Sequence, residues 1–102
     1  MTAVRRLVID VLKPHDPPLV EFTRRVSEIE SVDGVTSALI ELDQEVQNVK
    51  LTFEGTGLEY DAIEETVEGL GATVHSVDEV ACGEYLVNEP STSSLVRPSW
   101  LR

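Results

Sequence analysis

Cysteine occurs once in the 102 residues, at Cys82, and histidine only twice, at His15 and His75. A single thiol excludes an intrachain disulfide and a thiolate cage for a metal. Lysine is as scarce, with only Lys13 and Lys50, and the 8 Lys and Arg face 19 Asp and Glu, a formal net charge of -11. A phosphate backbone needs a basic face to release its counterions, so this balance argues against nucleic acid as a partner. No apolar run is long enough to span a bilayer, and the opening MTAVRR lacks the pattern of a signal peptide. A cytoplasmic protein with no membrane partner is expected. There is no GxGxxG, P-loop or serine elbow. Gly55-Thr56-Gly57 is too short to cradle a phosphate and reads as a turn.

What is abundant is carboxylate. The plain reading is a solvated acidic surface. So many carboxylates with so little lysine also fit a cytoplasm of very high salt, where repulsion is screened within a few ångströms, and a halophilic source is expected. A hydrophobic content of 41% is ordinary for a globular chain. This length makes one domain with a modest core, to which a partner subunit can add.

The chain is organised around its first strand, Val4 to Lys13. Leu7, Ile9 and Val11 point one way and Arg6, Val8, Asp10 and Leu12 the other. The second face is partly apolar too, which predicts a central strand with a covered back. Pro14, Pro17 and Pro18 end it. Asp16 suits an N-cap and Pro17 a first helical position, so a helix is expected over Pro17–Ser31, burying Leu19, Phe22, Val26 and Ile29. Asp33-Gly34 is a turn signal. Val35–Asp43 and Val46–Glu54 read as a hairpin joined by Gln44 and Glu45. Asp61 and Glu64 fit a capping box for a second helix, with Ile63, Val67 and Leu70 inward and Gly71 as its stop. A fourth strand runs from Ala72 to about Val80, with an extension to Val87 possible in the pattern. Residues 1–87 form the domain; 88–102, rich in Ser and Pro, read as a tail, with the isolated Trp100 either idle or docking into a groove.

The order βαββαβ has a simple solution: an α+β, ferredoxin-like sandwich, its antiparallel sheet ordered 4-1-3-2 with both helices on one face. The other face stays open. Val8, Leu12, Ala38, Ile40 and Leu42 are expected to form an apolar patch there, and such a patch predicts a homo-oligomer.

Chemistry has few candidates. In this topology the last strand lies beside the first, which brings His75 towards Asp10 or Leu12. An imidazole and two carboxylates suffice for a weak divalent site. Asp78 and Glu79 offer oxygen ligands of the kind Ca²⁺ or Mg²⁺ takes. The metal candidates are therefore Asp10, His75, Asp78 and Glu79, and the candidates for a small ligand Asp10, His15 and His75. The competing reading is a cross-strand polar pair, Asp10 with His75. His15 can close the strand-to-helix turn, and Lys13 can hold an anion at the helix N-terminus unless Asp16 caps it. Cys82 is expected to be small and buried rather than a nucleophile. No catalytic residue is assigned.

Several stretches taken together resemble the archaeal "domain of unknown function 211" family: RLVIDVLKPHDPPLVEF at Arg6–Phe22, VDGV at Val32–Val35, NVKLTFEG at Asn48–Gly55 and VHSVDEVACG at Val74–Gly83. The resemblance implies a βαββαβ fold, ring-like homo-oligomers, an archaeal source and associated metal ions, calcium in particular. It implies no activity. The strong acidity suits a haloarchaeal member. The preferred expectation is a non-enzymatic, homo-oligomeric module that binds a small ligand or divalent cation. One alternative is a structural ring or adaptor docking a partner through the tail; another, less favoured, is an enzyme with Asp10 and His75 as an acid–base pair.

Overall fold

A computed structural model describes residues 2–84. The elements are β1 (Val4–Pro14), α1 (Leu19–Ser27), β2 (Gly34–Leu42), β3 (Val46–Glu54), α2 (Tyr60–Gly69) and β4 (Thr73–Cys82). The expected βαββαβ order is present, and the four strands form one antiparallel sheet ordered β2-β3-β1-β4. β1 is central, as its two-sided apolar pattern requires. The core lies between the sheet and the helices: Leu7, Ile9 and Val11 from β1, Val49, Leu51 and Phe53 from β3, Phe22 and Val26 from α1, Ile63 and Val67 from α2. No helix among the described residues is long and apolar enough to cross a membrane.

Both helices start differently from expectation. Asp16 does not cap α1; the cap position is Pro18, without a side-chain hydrogen bond, and the helix is Leu19–Ser27, not Pro17–Ser31. The reason is local. Asp16 and Pro17 each precede a proline, and the ring of the following residue bars them from helical backbone angles. The Asp61–Glu64 capping box is also absent. α2 begins at Tyr60 with Glu59 at the cap, again without a side-chain cap. Its entrance is held from outside: Leu58 is buried, its N–H donates to the Val4 carbonyl, and the Glu59 N–H donates to Ser31 Oγ at 3.1 Å. Gly71 closes α2 at φ +93°, the left-handed position expected of a helix stop. The tail and Trp100 lie outside the described residues, as does any extension of β4 from 85 to 87.

The strand pairing departs from simple alternation at the edges. On β4, His75 and Asp78 are extra residues: Val11 and Asp10 face Val74 and Ser76, while Ile9 and Val8 face Val77 and Glu79. On β2, Ile40 is extra, between Leu39 opposite Val49 and Glu41 opposite Asn48. These bulges kink both edge strands, a common way of blunting an edge against further pairing.

Candidate functional site

The open face is built from the side chains of β1 and β3 that point away from the helices. Across the middle of the sheet the registered row is Ala38, Lys50, Asp10 and Ser76; the next row is Thr36, Thr52, Val8 and Glu79. Ile40 and Asp78, which follow Ala38 and Ser76 by alternation, lie on this face as well. The result is a shallow groove of about 290 Å³ lined by Val8, Asp10, Ile40, Lys50, Asp78 and Glu79. Val8 forms its floor and is only 5% exposed, whereas Ile40 on the rim is 58% exposed. Ser76 donates to Asp78 Oδ1 at 2.7 Å and so orients that carboxylate.

Asp10 is the unusual member. Its Oδ1 is sealed from solvent and has no hydrogen-bond partner, and Asn48 Oδ1 on the neighbouring strand is in the same condition. Lys50 stands opposite Asp10 in the register, yet no ion pair joins them. A buried acceptor without a partner costs about 1–3 kcal/mol, more when it carries charge. Such groups are rare in native folds and call for an explanation. Glu79, in contrast, is partly engaged. Arg6 makes a 2.8 Å ion pair with Glu54 and reaches Glu79 at 3.6 Å. The hydrogen bonds that Arg6 donates to Glu54, with the charges of Glu54 and Glu79, raise the Arg6 pKa against the opposing effect of burial.

The structure therefore gathers Asp10, Asp78 and Glu79 around one groove but leaves His15 and His75 outside its lining. His75 is the exposed bulge residue beside Ser76, and no hydrogen bond among the described residues joins it to Asp10. No three His, Cys, Asp or Glu among the described residues converge closely enough to hold a metal ion by themselves. Leu42 is not part of the expected patch: the Ile40 bulge turns it opposite Gln47, on the same side as Lys13. The expectation for Cys82 also fails, since it is exposed at the end of its edge strand.

His15 does not close the strand-to-helix turn. Its Nε2 lies 3.1 Å from the Asp43 carbonyl and ties that turn to the tip of the β2–β3 hairpin. The tip holds itself together: Asp43 Oδ1 accepts from the N–H groups of Glu45 and Val46, which lowers the Asp43 pKa. Lys13 cannot hold an anion at the helix, because it shares the inward parity of Ile9 and Val11. It is 0% exposed, donating from Nζ to the Pro14 carbonyl (2.8 Å) and Gln47 Oε1 (2.9 Å), 5.7 Å above the Phe22 ring.

Burial pushes the Lys13 pKa below its ordinary 10.5, with Asp16 pulling weakly the other way. Above the lowered value the folded chain carries a neutral Lys13, while the unfolded chain still binds a proton. Unfolding then takes up a proton, and stability rises with pH until 10.5 is passed. Tyr60 acts in the opposite sense: burial and the neighbouring Glu64, Glu68 and Asp61 raise its pKa, so its contribution is lost as pH rises through the raised value. The expected result is that Lys13→Met loses the alkaline rise relative to the parent protein while keeping the Tyr60 decline. Melting temperatures across this range check it; parallel curves for the two proteins contradict it.

A four-stranded antiparallel sheet ordered β2-β3-β1-β4, backed by two helices on one face and carrying a polar groove on the other, defines a ferredoxin-like α+β domain. The chain belongs to the domain of unknown function 211 (DUF211) family, described as "Uncharacterized ArCR", whose model matches residues 5–94. It is 41% identical over 92 residues to the uncharacterized protein MJ0319 of the archaeon Methanocaldococcus jannaschii, covering 90% of this chain and 95% of that one.

The sequence had marked Asp10, Asp78 and Glu79 and had put Val8 and Ile40 on the open face, but it missed Lys50 in the groove and Asn48 beside it on the same face. A signal for both was present. Asn48 and Lys50 alternate with Val49 and Leu51, which puts them on the face opposite the core.

Proposed function

We propose that this protein is a non-enzymatic, homo-oligomeric binding module that takes a small ligand or a divalent cation in the groove on the open face of its sheet. The carrying observation is Asp10, a carboxylate with one oxygen sealed and unpartnered beside a groove with two further carboxylates. A fold retains so unfavourable a group most readily where an occupant satisfies it. A divalent cation here would use one or two protein carboxylates and complete its shell with water or a second copy's oxygens, in the manner usual for Mg²⁺. Self-association is supported by the apolar residues exposed on both edge strands, Leu39, Ile40 and Leu42 on β2 and Val77 and Val80 on β4. The separation of His75 from the groove lining speaks against an Asp–His acid–base pair.

Isothermal calorimetry with Ca²⁺, Mg²⁺ and a set of small metabolites tests the reading. Binding by the parent protein that disappears in Asp10→Ala is expected. No heat from any of them, with no change in melting temperature, refutes it.

A further inference from the structure

The lining of the groove narrows the ligand class, an inference that rests on the groove being the binding site. A metal ion held by the protein alone wants three or more convergent oxygen, nitrogen or sulfur donors; no such set of His, Cys, Asp or Glu converges among the described residues, so a cation here would depend on water or a second copy for most of its shell. The lining of the groove suits another ligand better. Two aliphatic side chains, Val8 and Ile40, lie beside three carboxylates, Asp10, Asp78 and Glu79. The positive charge present, on Lys50, sits on an exposed side chain that forms no ion pair with Asp10. Three carboxylates against one ammonium leave the groove negative, and Arg6, whose closer partner is Glu54, reaches Glu79 but neither of the other two.

The condition of Asp10 sharpens this. Oδ1 is sealed and unpartnered, but Asp10 as a whole is part-buried and lines the groove, so an occupant would meet the carboxylate from that side. Compensation there requires positive charge and N–H donors, since a carboxylate accepts and never donates. Apolar contact with Val8 and Ile40 favours a carbon stem on the same molecule, as amphipathic cations lay their stems along apolar surface. About 290 Å³ holds a short-chain amine and is too small for most cofactors. We infer that the groove binds a small organic cation, an ammonium or guanidinium group on a short aliphatic stem, in preference to a bare metal ion. Asp10 and Asp78 take the charged head, and Val8 and Ile40 take the stem. The extra residue at His75 shifts Ser76, and with it Asp78, onto this face, which gives that irregularity in the edge strand a role beyond edge protection.

The experiment is calorimetry on the full chain with agmatine, putrescine, Ca²⁺ and Mg²⁺ in separate titrations, at low and high potassium chloride. Agmatine or putrescine should bind. Asp10→Asn, which keeps the shape and removes the charge, should weaken them about tenfold or more, as expected for losing a hydrogen bond to a charged group. Ile40→Ser should weaken them too while leaving the charges unchanged. Thermal melts of each variant separate lost binding from lost folding. Heat from Ca²⁺ or Mg²⁺ with none from either amine overturns the assignment of ligand class and leaves the groove standing as the binding site. Amine binding that Asp10→Asn does not change overturns it as well. No heat from any of the four removes both this assignment and the site.

Discussion

Replacing Gly55 by alanine is expected to destabilise the domain by about 3 kcal/mol, the upper end for forced overpacking. A Cβ built there lies 2.5 Å from the Ser31 carbonyl oxygen and 3.0 Å from Leu58 Cδ2. The oxygen is backbone and has little room to retreat. The Gly55 N–H donates to the Arg5 carbonyl, Arg5 Nε donates back to the Gly55 carbonyl at 3.2 Å, and Ser31 Oγ holds the entrance of α2. The end of β3, the loop after α1 and the start of α2 thus meet at a point where only hydrogen fits. Urea denaturation of Gly55→Ala beside Gly57→Ala checks this, because nothing lies within 4 Å of a Cβ at Gly57. Equal losses at the two positions would show that the close approach carries no weight.

Phe22→Ala should cost still more, about 3–5 kcal/mol, the range for deleting a buried aromatic side chain. Phe22 is 0% exposed and packs from α1 into the middle of the core. It also stands under the Lys13 ammonium at 5.7 Å. Its removal opens a cavity and takes the ring from beneath a buried cation, a contact worth about 0.5–2 kcal/mol on its own. Phe22→Leu keeps most of the volume and loses the ring, so its smaller loss separates the two effects. A double-mutant cycle of Phe22→Leu with Lys13→Met measures the contact directly. A loss below about 2 kcal/mol for Phe22→Ala would place this residue outside the main core.

Most of the architecture was legible because period-2 patterns in β1 and β3 are long and the turn signals between elements are strong. Leu7, Ile9 and Val11 alternate without interruption, and Asp33-Gly34, Gly55 and Gly71 fall where elements end. The parts that misled share a physical cause: each depended on a contact from elsewhere in the chain. Asp16 and Asp61 have the chemistry of caps, but the prolines delay the start of α1 and Ser31 holds the entrance of α2. Lys13 looks free to meet an anion until the parity of β1 is followed from Val11 two residues further, under α1. A one-residue bulge leaves no mark in composition, and it reverses every later side chain on its strand. For that reason Leu42 left the open face, Asp78 joined it, and His75 did not complete the pair with Asp10. Asp10 was legible as a polar residue on a half-apolar face. Its unpartnered oxygen was not, since that depends on the reach of Lys50 across the strand.

The claim on which the functional reading rests is that Asp10 serves an occupant of the groove and not the fold. Asp10→Val separates the two roles. Valine suits a central strand, carries no charge and leaves no sealed acceptor at this position. Without ligand, the variant is expected to unfold at the same urea concentration as the parent protein or at a higher one, as functional groups commonly cost stability. A fall of about 2 kcal/mol or more would mean that Asp10 holds the sheet together, and would contradict its assignment to the site.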